Sequence, residues 1–273
     1  MPVVPLVLCA AVLHATWNAL VKPAGDRLAA IGALNAAIAV ICLPAAILVA
    51  PHRAAWVALA VSSLLHVAYN MALVAAYGEG DFSQTYPIAR GSAPPLVAIV
   101  AAIALGESLD AVRITGLGAI TAGMFVLAAG PRQPRAIALA LRVGVVIAAY
   151  TVVDGIGVRH SGTPLGYGAW LFFSSGALTA LAARARGSAL RAPGSALRAR
   201  GVTLIGAPCA IAAYGFVLWA QTHGRLAVVA GLRETSVVFG ALIGVIVFKE
   251  QLGARRVAAS ALVAAGAVAL ALG

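Results

Sequence analysis

The chain has 273 residues, of which 62% are hydrophobic and only 10% charged. A soluble protein of this size carries about a quarter charged residues, so a water-soluble globule is excluded, and the same apolar excess excludes a disordered chain. The charges are mostly basic, 19 Lys+Arg against 8 Asp+Glu for a formal +11, and they fall between long apolar runs, which points to membrane loops and away from nucleic acid.

The apolar runs predict ten membrane spans, over 3–21, 29–50, 55–77, 82–105, 111–129, 137–158, 164–183, 202–223, 226–248 and 254–272. Ten helices of about 20 residues use roughly 200 and leave short loops. The runs are too long, and alternate too little, for strands. Residues 3–21 lack the basic leader of a signal peptide and read as the first span. His14 and Asn18 lie four apart on one face of it, with Trp17 beside them. Span three repeats that spacing with His66 and Asn70, next to Tyr69. Span four carries Arg90 together with Pro87, Pro94 and Pro95, which are predicted to interrupt and bend it around Arg90. Spans five and ten are rich in small residues and lack internal charge. They are predicted to pack as scaffold or to form the surface of a homodimer. Span six places Tyr150 one turn before Asp154. The stretch from Arg184 to Arg200 is predicted to be a basic loop near the headgroups. Span eight holds Tyr214 and, near its end, Trp219. Span nine reads as one continuous helix with Arg233 and Glu234 adjacent, about 100° apart around it. Trp56 and Trp170 fit aromatic belts.

Cys9, Cys42 and Cys209 lie in apolar runs without a metal-binding spacing and read as packing residues. No phosphate-binding loop, zinc-protease motif or nucleophile elbow occurs, so neither a cofactor, a metal nor an enzymatic activity is expected.

A charge inside a span costs several kcal/mol, by contested estimates, unless it is paired or faces water. Arg90, Asp154, Arg233 and Glu234 are therefore singled out, with His14 and His66 as titratable additions. Arg90 lies about 12 Å into span four and Arg233 about 10 Å into span nine at 1.5 Å per residue. If the two spans enter from opposite faces of a core about 30 Å thick, the arginines are separated in depth by roughly 8 Å, enough for a small solute. Comparable depths predict an Asp154–Arg233 pair and an Asn18–Arg90 pair. The second lacks a carboxylate, which makes Arg90 the better candidate for an anionic group of a substrate, a carboxylate or phosphonate that its planar fork can bind bidentately. Asp154 and Glu234 are candidates for proton coupling or for an internal ion pair.

The two halves of the chain repeat. At one offset of 143 residues Glu107 aligns with Glu250, Leu109 with Leu252, Arg113 with Arg256, Gly123 with Gly266, and Arg90 with Arg233. With small gaps, Tyr69 matches Tyr214 and Asn18 matches Asp154. Five spans is an odd number, so the second half should be inverted, with a site near the midplane between the repeats.

His14-Ala15-Thr16-Trp17-Asn18 in span one, Tyr86-Pro87-Ile88-Ala89-Arg90-Gly91 in span four, and Gly106-Glu107 with Lys249-Glu250 at the ends of spans four and nine resemble the EamA-type members of the drug/metabolite transporter superfamily. Tyr150-Thr151-Val152-Val153-Asp154-Gly155 and Arg233-Glu234-Thr235-Ser236 resemble a subgroup sometimes found with phosphonate-use genes. The resemblance covers nearly the whole chain. It implies an all-α integral membrane fold of ten helices built from two inverted five-helix repeats, 1–130 and 131–273. It implies export or exchange of small metabolites through a cavity lined mainly by spans 1, 3, 4, 6, 8 and 9.

The expected protein is a secondary transporter of a small polar, amino-acid-like metabolite, working by alternating access in the bacterial inner (plasma) membrane. Its partners are a small-molecule substrate and the lipid bilayer. The expected substrate-binding residues are Arg90, Asn18, His14, Trp17, Tyr69, Asn70, His66, Tyr150, Arg233 and Tyr214. Uptake of an organophosphonate-like anion is the alternative, and a non-transporting membrane scaffold or assembly subunit is the alternative from another class. Orientation stays open. The odd loops carry Lys22, Arg27, Arg132, Arg135, Arg184, Arg186, Arg191, Arg198, Arg200, Lys249, Arg255 and Arg256, the even loops Arg53, Arg113, Arg159 and Arg225. That bias puts the odd loops in the cytoplasm, whereas the resemblance implies cytoplasmic termini.

Overall fold

The structure is a computed structural model that describes residues 3–21, 27–79, 82–129, 133–187, 201–246, 249 and 253–273. The described elements are all helical. They are α1 (Val3–Val21), α2 (Arg27–Leu48), α3 (Trp56–Glu79), α4 (Phe82–Leu105), α5 (Ala111–Leu127), α6 (Pro134–Arg159), α7 (Pro164–Ala185), α8 (Ala207–His223), α9 (Leu226–Arg233), α10 (Ser236–Ile246) and α11 (Ala254–Leu272). A 3-10 turn, Arg53–Ala55, leads into α3, and a π-helical stretch, Val202–Gly206, leads into α8. Among the described residues nine segments, one of them α9 and α10 together, are long and apolar enough to cross a membrane, and α5 is a shorter apolar helix of 17 residues. Large apolar side chains point outward, Ile103 at 83% exposure and Leu272 at 80% among them, as lipid contact requires. The chain is an integral membrane protein with the all-helical fold read from its sequence. Lys22, Arg132, Arg191, Arg198, Arg200, Glu250 and Leu252, and with them most of the predicted 184–200 loop, lie outside the described residues.

Helix boundaries follow local chemistry. Asp110 accepts the Arg113 backbone N–H at 2.8 Å and caps α5. Thr163 does the same for α7 through Gly166 N–H at 3.2 Å. Pro134 and Pro164 open α6 and α7 in the first turn, where no N–H is missed.

Two expectations about helix continuity are corrected. Span four is not interrupted, because α4 runs unbroken from Phe82 to Leu105 with all three prolines inside it. Pro94 and Pro95 have no N–H to give the carbonyls of Arg90 and Gly91, but the helix continues around that gap. The break falls in span nine instead. Glu234 N–H bonds to Gly231 O at 3.0 Å and Thr235 N–H to Leu232 O at 3.2 Å, a tight i→i+3 turn in place of the α-helical ladder. The Thr235 hydroxyl competes for the same Leu232 carbonyl at 2.7 Å, which favours the turn.

Packing joins specific helices. α2 lies on α7, α5 on α11, α3 on α6, α1 on α8, and α4 on α6, while α9 contacts both α4 and α1. Glycines set the closest approaches. A Cβ on Gly116 would meet Gly266 O at 2.7 Å, and one on Gly266 would meet Gly116 O at 2.5 Å. Gly176 of α7 would meet Asn35 O of α2 at 2.7 Å. The small-residue faces of α5 and α11 are therefore spent on each other, as a scaffold, which leaves their outer faces for lipid or a second copy.

The chain crosses back and forth, so the ends of α1, α3, α5, α7 and α10 share one side, called side A, with the starts of α2, α4, α6, α8 and α11. The opposite ends form side B.

Candidate functional site

A cavity of about 330 Å³ lies inside the bundle. His14, Trp17 and Asn18 of α1, His66, Tyr69 and Asn70 of α3, Arg90 of α4, Tyr150 of α6, Tyr214 of α8 and Arg233 of α9 all line it, so the ten residues singled out as a binding set are brought together. The lining is wider than expected. α2 contributes Ile31, Leu34, Asn35 and Ile38, and α7 contributes Phe172 and Ser175. Asn35, a lone amide in an otherwise apolar stretch of α2, was a signal available in the sequence; Phe172 carried none.

The cavity is lopsided. Asn18 and Ile31 are each about one turn from the side A ends of α1 and α2. Toward side B the lining stops at Tyr150, Val217 and Arg233, about two turns short of the helix ends. Beyond them side B is interlocked. Arg159, at the end of α6, donates through Nη2 to Glu107 Oε1 at 2.8 Å and to Gly224 O at 2.8 Å, and through Nε to Gln221 O at 2.8 Å. Glu107, after α4, accepts the backbone N–H of Leu226, the first residue of α9, at 2.7 Å. One ion pair thus ties the side B ends of α4, α6, α8 and α9, and its carboxylate sits where a helix N-terminus favours negative charge. The sequence marks Glu107 through the internal repeat and the family resemblance, and nothing in its own neighbourhood names Arg159 as its partner.

The interior charges pair differently from expectation. Arg90 Nε donates to Glu234 Oε2 at 3.0 Å, and both side chains are nearly fully buried. Asn18 does not reach Arg90; its Nδ2 donates to His14 O at 2.8 Å within α1. Asp154 does not pair with Arg233 either. It is wholly buried, and its oxygens accept the hydroxyls of Tyr167 at 2.9 Å and Tyr214 at 2.6 Å. The Nε2 of His66 lies 3.8 Å from Asp154 Oδ2. Arg233 lies over the face of the Tyr214 ring, Cζ 5.1 Å from its centroid. Both corrections have a physical cause. Glu234 already occupies the Nε of Arg90, and the Asn18 amide is spent within α1, so the Asn18–Arg90 pair does not form. Tyr214 binds Asp154 through its hydroxyl and Arg233 through its ring, and so stands between them. Tyr167 was not anticipated, since one more tyrosine in an apolar run signals nothing.

Arg90 has one further property. Its Nη2 is buried and makes no hydrogen bond. Around the two arginines stands an aromatic wall. His66 packs on Tyr150 at 4.3 Å between centroids, Tyr69 on Tyr150 at 5.6 Å, Tyr150 on Tyr214 at 6.1 Å and Phe172 on Tyr214 at 6.2 Å. Trp17 stands edge-on to His14 at 5.1 Å. Trp56 and Trp170, read as belt residues, pack edge-to-face at 4.9 Å, and the Trp170 indole nitrogen is buried. Among the described residues no group of three or more His, Cys, Asp or Glu is placed to hold a metal ion.

Comparison with known proteins follows the same line. The model of the EamA-like transporter family matches residues 134–272. None of the curated proteins matches the chain. A solved structure described only as "Crystal structure of protein" superposes with a TM-score of 0.81 over 100% of this chain and 99% of that chain, at 18% identity, a likeness of fold alone.

Proposed function

Because the chain belongs to the EamA-like transporter family, we propose that it is a secondary transporter that moves a small polar metabolite across its membrane by alternating access, by efflux or exchange. The observation that carries this reading is the interior cavity, polar where it holds charges, that reaches toward side A and ends above an interlocked side B. A rocking transporter caught facing one side has this asymmetry. The helix pairings support two inverted repeats, 1–130 and 131–273. Exchanging span one with six, two with seven, three with eight, four with nine and five with ten maps α2–α7 and α5–α11 onto themselves and α3–α6 onto α8–α1.

The broken span nine supports it as well. Transporter sites gather at discontinuous helices, where irregular backbone lines a cavity. We assign Asp154, reached through cavity-lining His66, to coupling, and Glu234, held on Arg90, to an internal ion pair. An organophosphonate-like anion as the transported solute is the second reading, favoured by the arginine pair. A scaffold without transport would need a dry, closed charge network, and the polar cavity weighs against it.

Reconstitution in liposomes tests the proposal. Counterflow of small organic solutes is expected, and it should fall at least tenfold in Arg90→Ala. Unchanged counterflow in Arg90→Ala would remove the site from consideration.

A further inference from the structure

The cavity lining contains two arginines and, among the described residues, no aspartate, glutamate or lysine. The two interior carboxylates are both turned elsewhere. Glu234 is engaged by Arg90, and Asp154 lies behind Tyr214 with a tyrosine hydroxyl on each oxygen. Arg233 therefore faces the cavity with no carboxylate partner among the described residues, resting only on the Tyr214 ring. A guanidinium that lines a cavity with no carboxylate in contact is free to receive an anion from solution, which its planar fork can bind bidentately. Arg90 adds a second donor that has nothing to bind, its buried Nη2. Resting on the transporter reading above, we propose that the solute is an organic monoanion, a carboxylate or phosphonate on a flat apolar body, with the anionic group on Arg233 and the body against the aromatic wall.

The charge pattern discriminates against amino acids. An ammonium group in this cavity would face two guanidiniums and find no lining carboxylate, and the Tyr214 face that might have received it is already covered by Arg233. The rest of the lining suits a flat body. Tyr69, Tyr150 and Phe172 present ring faces and edges, and Leu34 and Ile38, packed beside Phe172, extend that surface with aliphatic groups. The anionic end is oriented by the arginine fork and the apolar end excludes water from it, which strengthens the same contact.

The test uses four probes that share a phenyl body: phenylacetate, phenylphosphonate, phenylalanine and phenethylamine. Each is titrated against the purified full-length protein by thermal unfolding in detergent. The two anions are expected to raise the unfolding temperature, with phenylalanine at least tenfold weaker and phenethylamine without effect. Arg233→Gln should abolish the anion response. Arg233→Lys, which keeps the charge but loses the fork, should weaken it about tenfold and guards against simple misfolding of the first variant. Equal or better binding of phenylalanine or phenethylamine, an unaltered anion response in both variants, or no response to either anion overturns the proposal. Counterflow of the same probes in liposomes separates the two readings. Anions that bind but are not moved sink the transporter reading and leave the site's chemistry intact, whereas movement of the zwitterion or amine in preference sinks the anion class alone.

Discussion

Arg90 and Glu234 meet at 3.0 Å although 144 residues separate them, and their contact joins the unbroken α4 to the turn that divides span nine. Among the described residues it is one of two buried or partly buried arginine–glutamate ion pairs between the halves of the chain, the other being Glu107 with Arg159 at side B, and it fixes their relative position in the interior.

Removing one member should therefore be costly. Glu234→Ala leaves the Arg90 guanidinium buried without a counter-ion and is expected to destabilise the protein by about 3–5 kcal/mol. The double variant Arg90→Ala/Glu234→Ala should recover part of that loss. Thermal unfolding of the three variants in detergent, read as a double-mutant cycle, measures the coupling. Additive losses would mean that the pair is incidental.

Among the described residues Asp154 meets no arginine or lysine, and the His66 Nε2 lies 3.8 Å from its Oδ2. Asp154→Asn keeps an oxygen to accept from one tyrosine hydroxyl and can meet the other only by donating its amide N–H to that hydroxyl's oxygen, and it cannot carry a proton on and off. Exchange of solute between liposome compartments is expected to persist in this variant, while accumulation driven by a pH gradient disappears. Accumulation that survives would assign coupling elsewhere.

The side B ion pair makes a conformational prediction. Hydrogen bonds to charged groups contribute roughly 1.5–3 kcal/mol each, so Glu107→Gln is expected to release side B and shift the balance of conformers at least tenfold. In a background lacking Cys9, Cys42 and Cys209, a cysteine placed at Val217 should be labelled from side B faster in Glu107→Gln than in its parent. Equal labelling rates would show that the pair does not hold that side shut.

Gly116 and Gly266 are expected to tolerate nothing larger. Their missing Cβ atoms would collide with backbone, which cannot rotate away. Gly116→Ala should cost at least 1–3 kcal/mol, roughly the range for overpacking a tight core. Loss of unfolding temperature without change in probe affinity is the expected signature.

Much of this was legible in the sequence, and the limit was physical. Span positions came from apolar run length, which the membrane dictates directly. The candidate binding set came mainly from polar groups standing where polarity is expensive, and its ten residues line one cavity. Pairing was not legible. Comparable depth along two helices does not say which way each side chain faces, so nothing in the sequence set Glu234 against Arg90 or Asp154 against two tyrosine hydroxyls. The prolines misled for a related reason. They mark where a helix lacks bonds, yet α4 stays helical around that gap, whereas span nine breaks at Glu234 and Thr235, where no proline stands. The partnership of Glu107 with Arg159 joins segments 52 residues apart and depends on the fold itself.

The 17 residues of α5 also bear on the surrounding lipid. At 1.5 Å per residue that helix is about 26 Å long, whereas the 26-residue α6 reaches about 39 Å. A hydrocarbon layer about 30 Å thick is too thick for the first and too thin for the second. A short helix is accommodated by thinning of the bilayer, by snorkelling of its flanking residues or by oligomerisation, and a long one by tilting. The mismatch between α5 and α6 is therefore expected to make stability depend on acyl-chain length, with short-chain lipids favoured around α5.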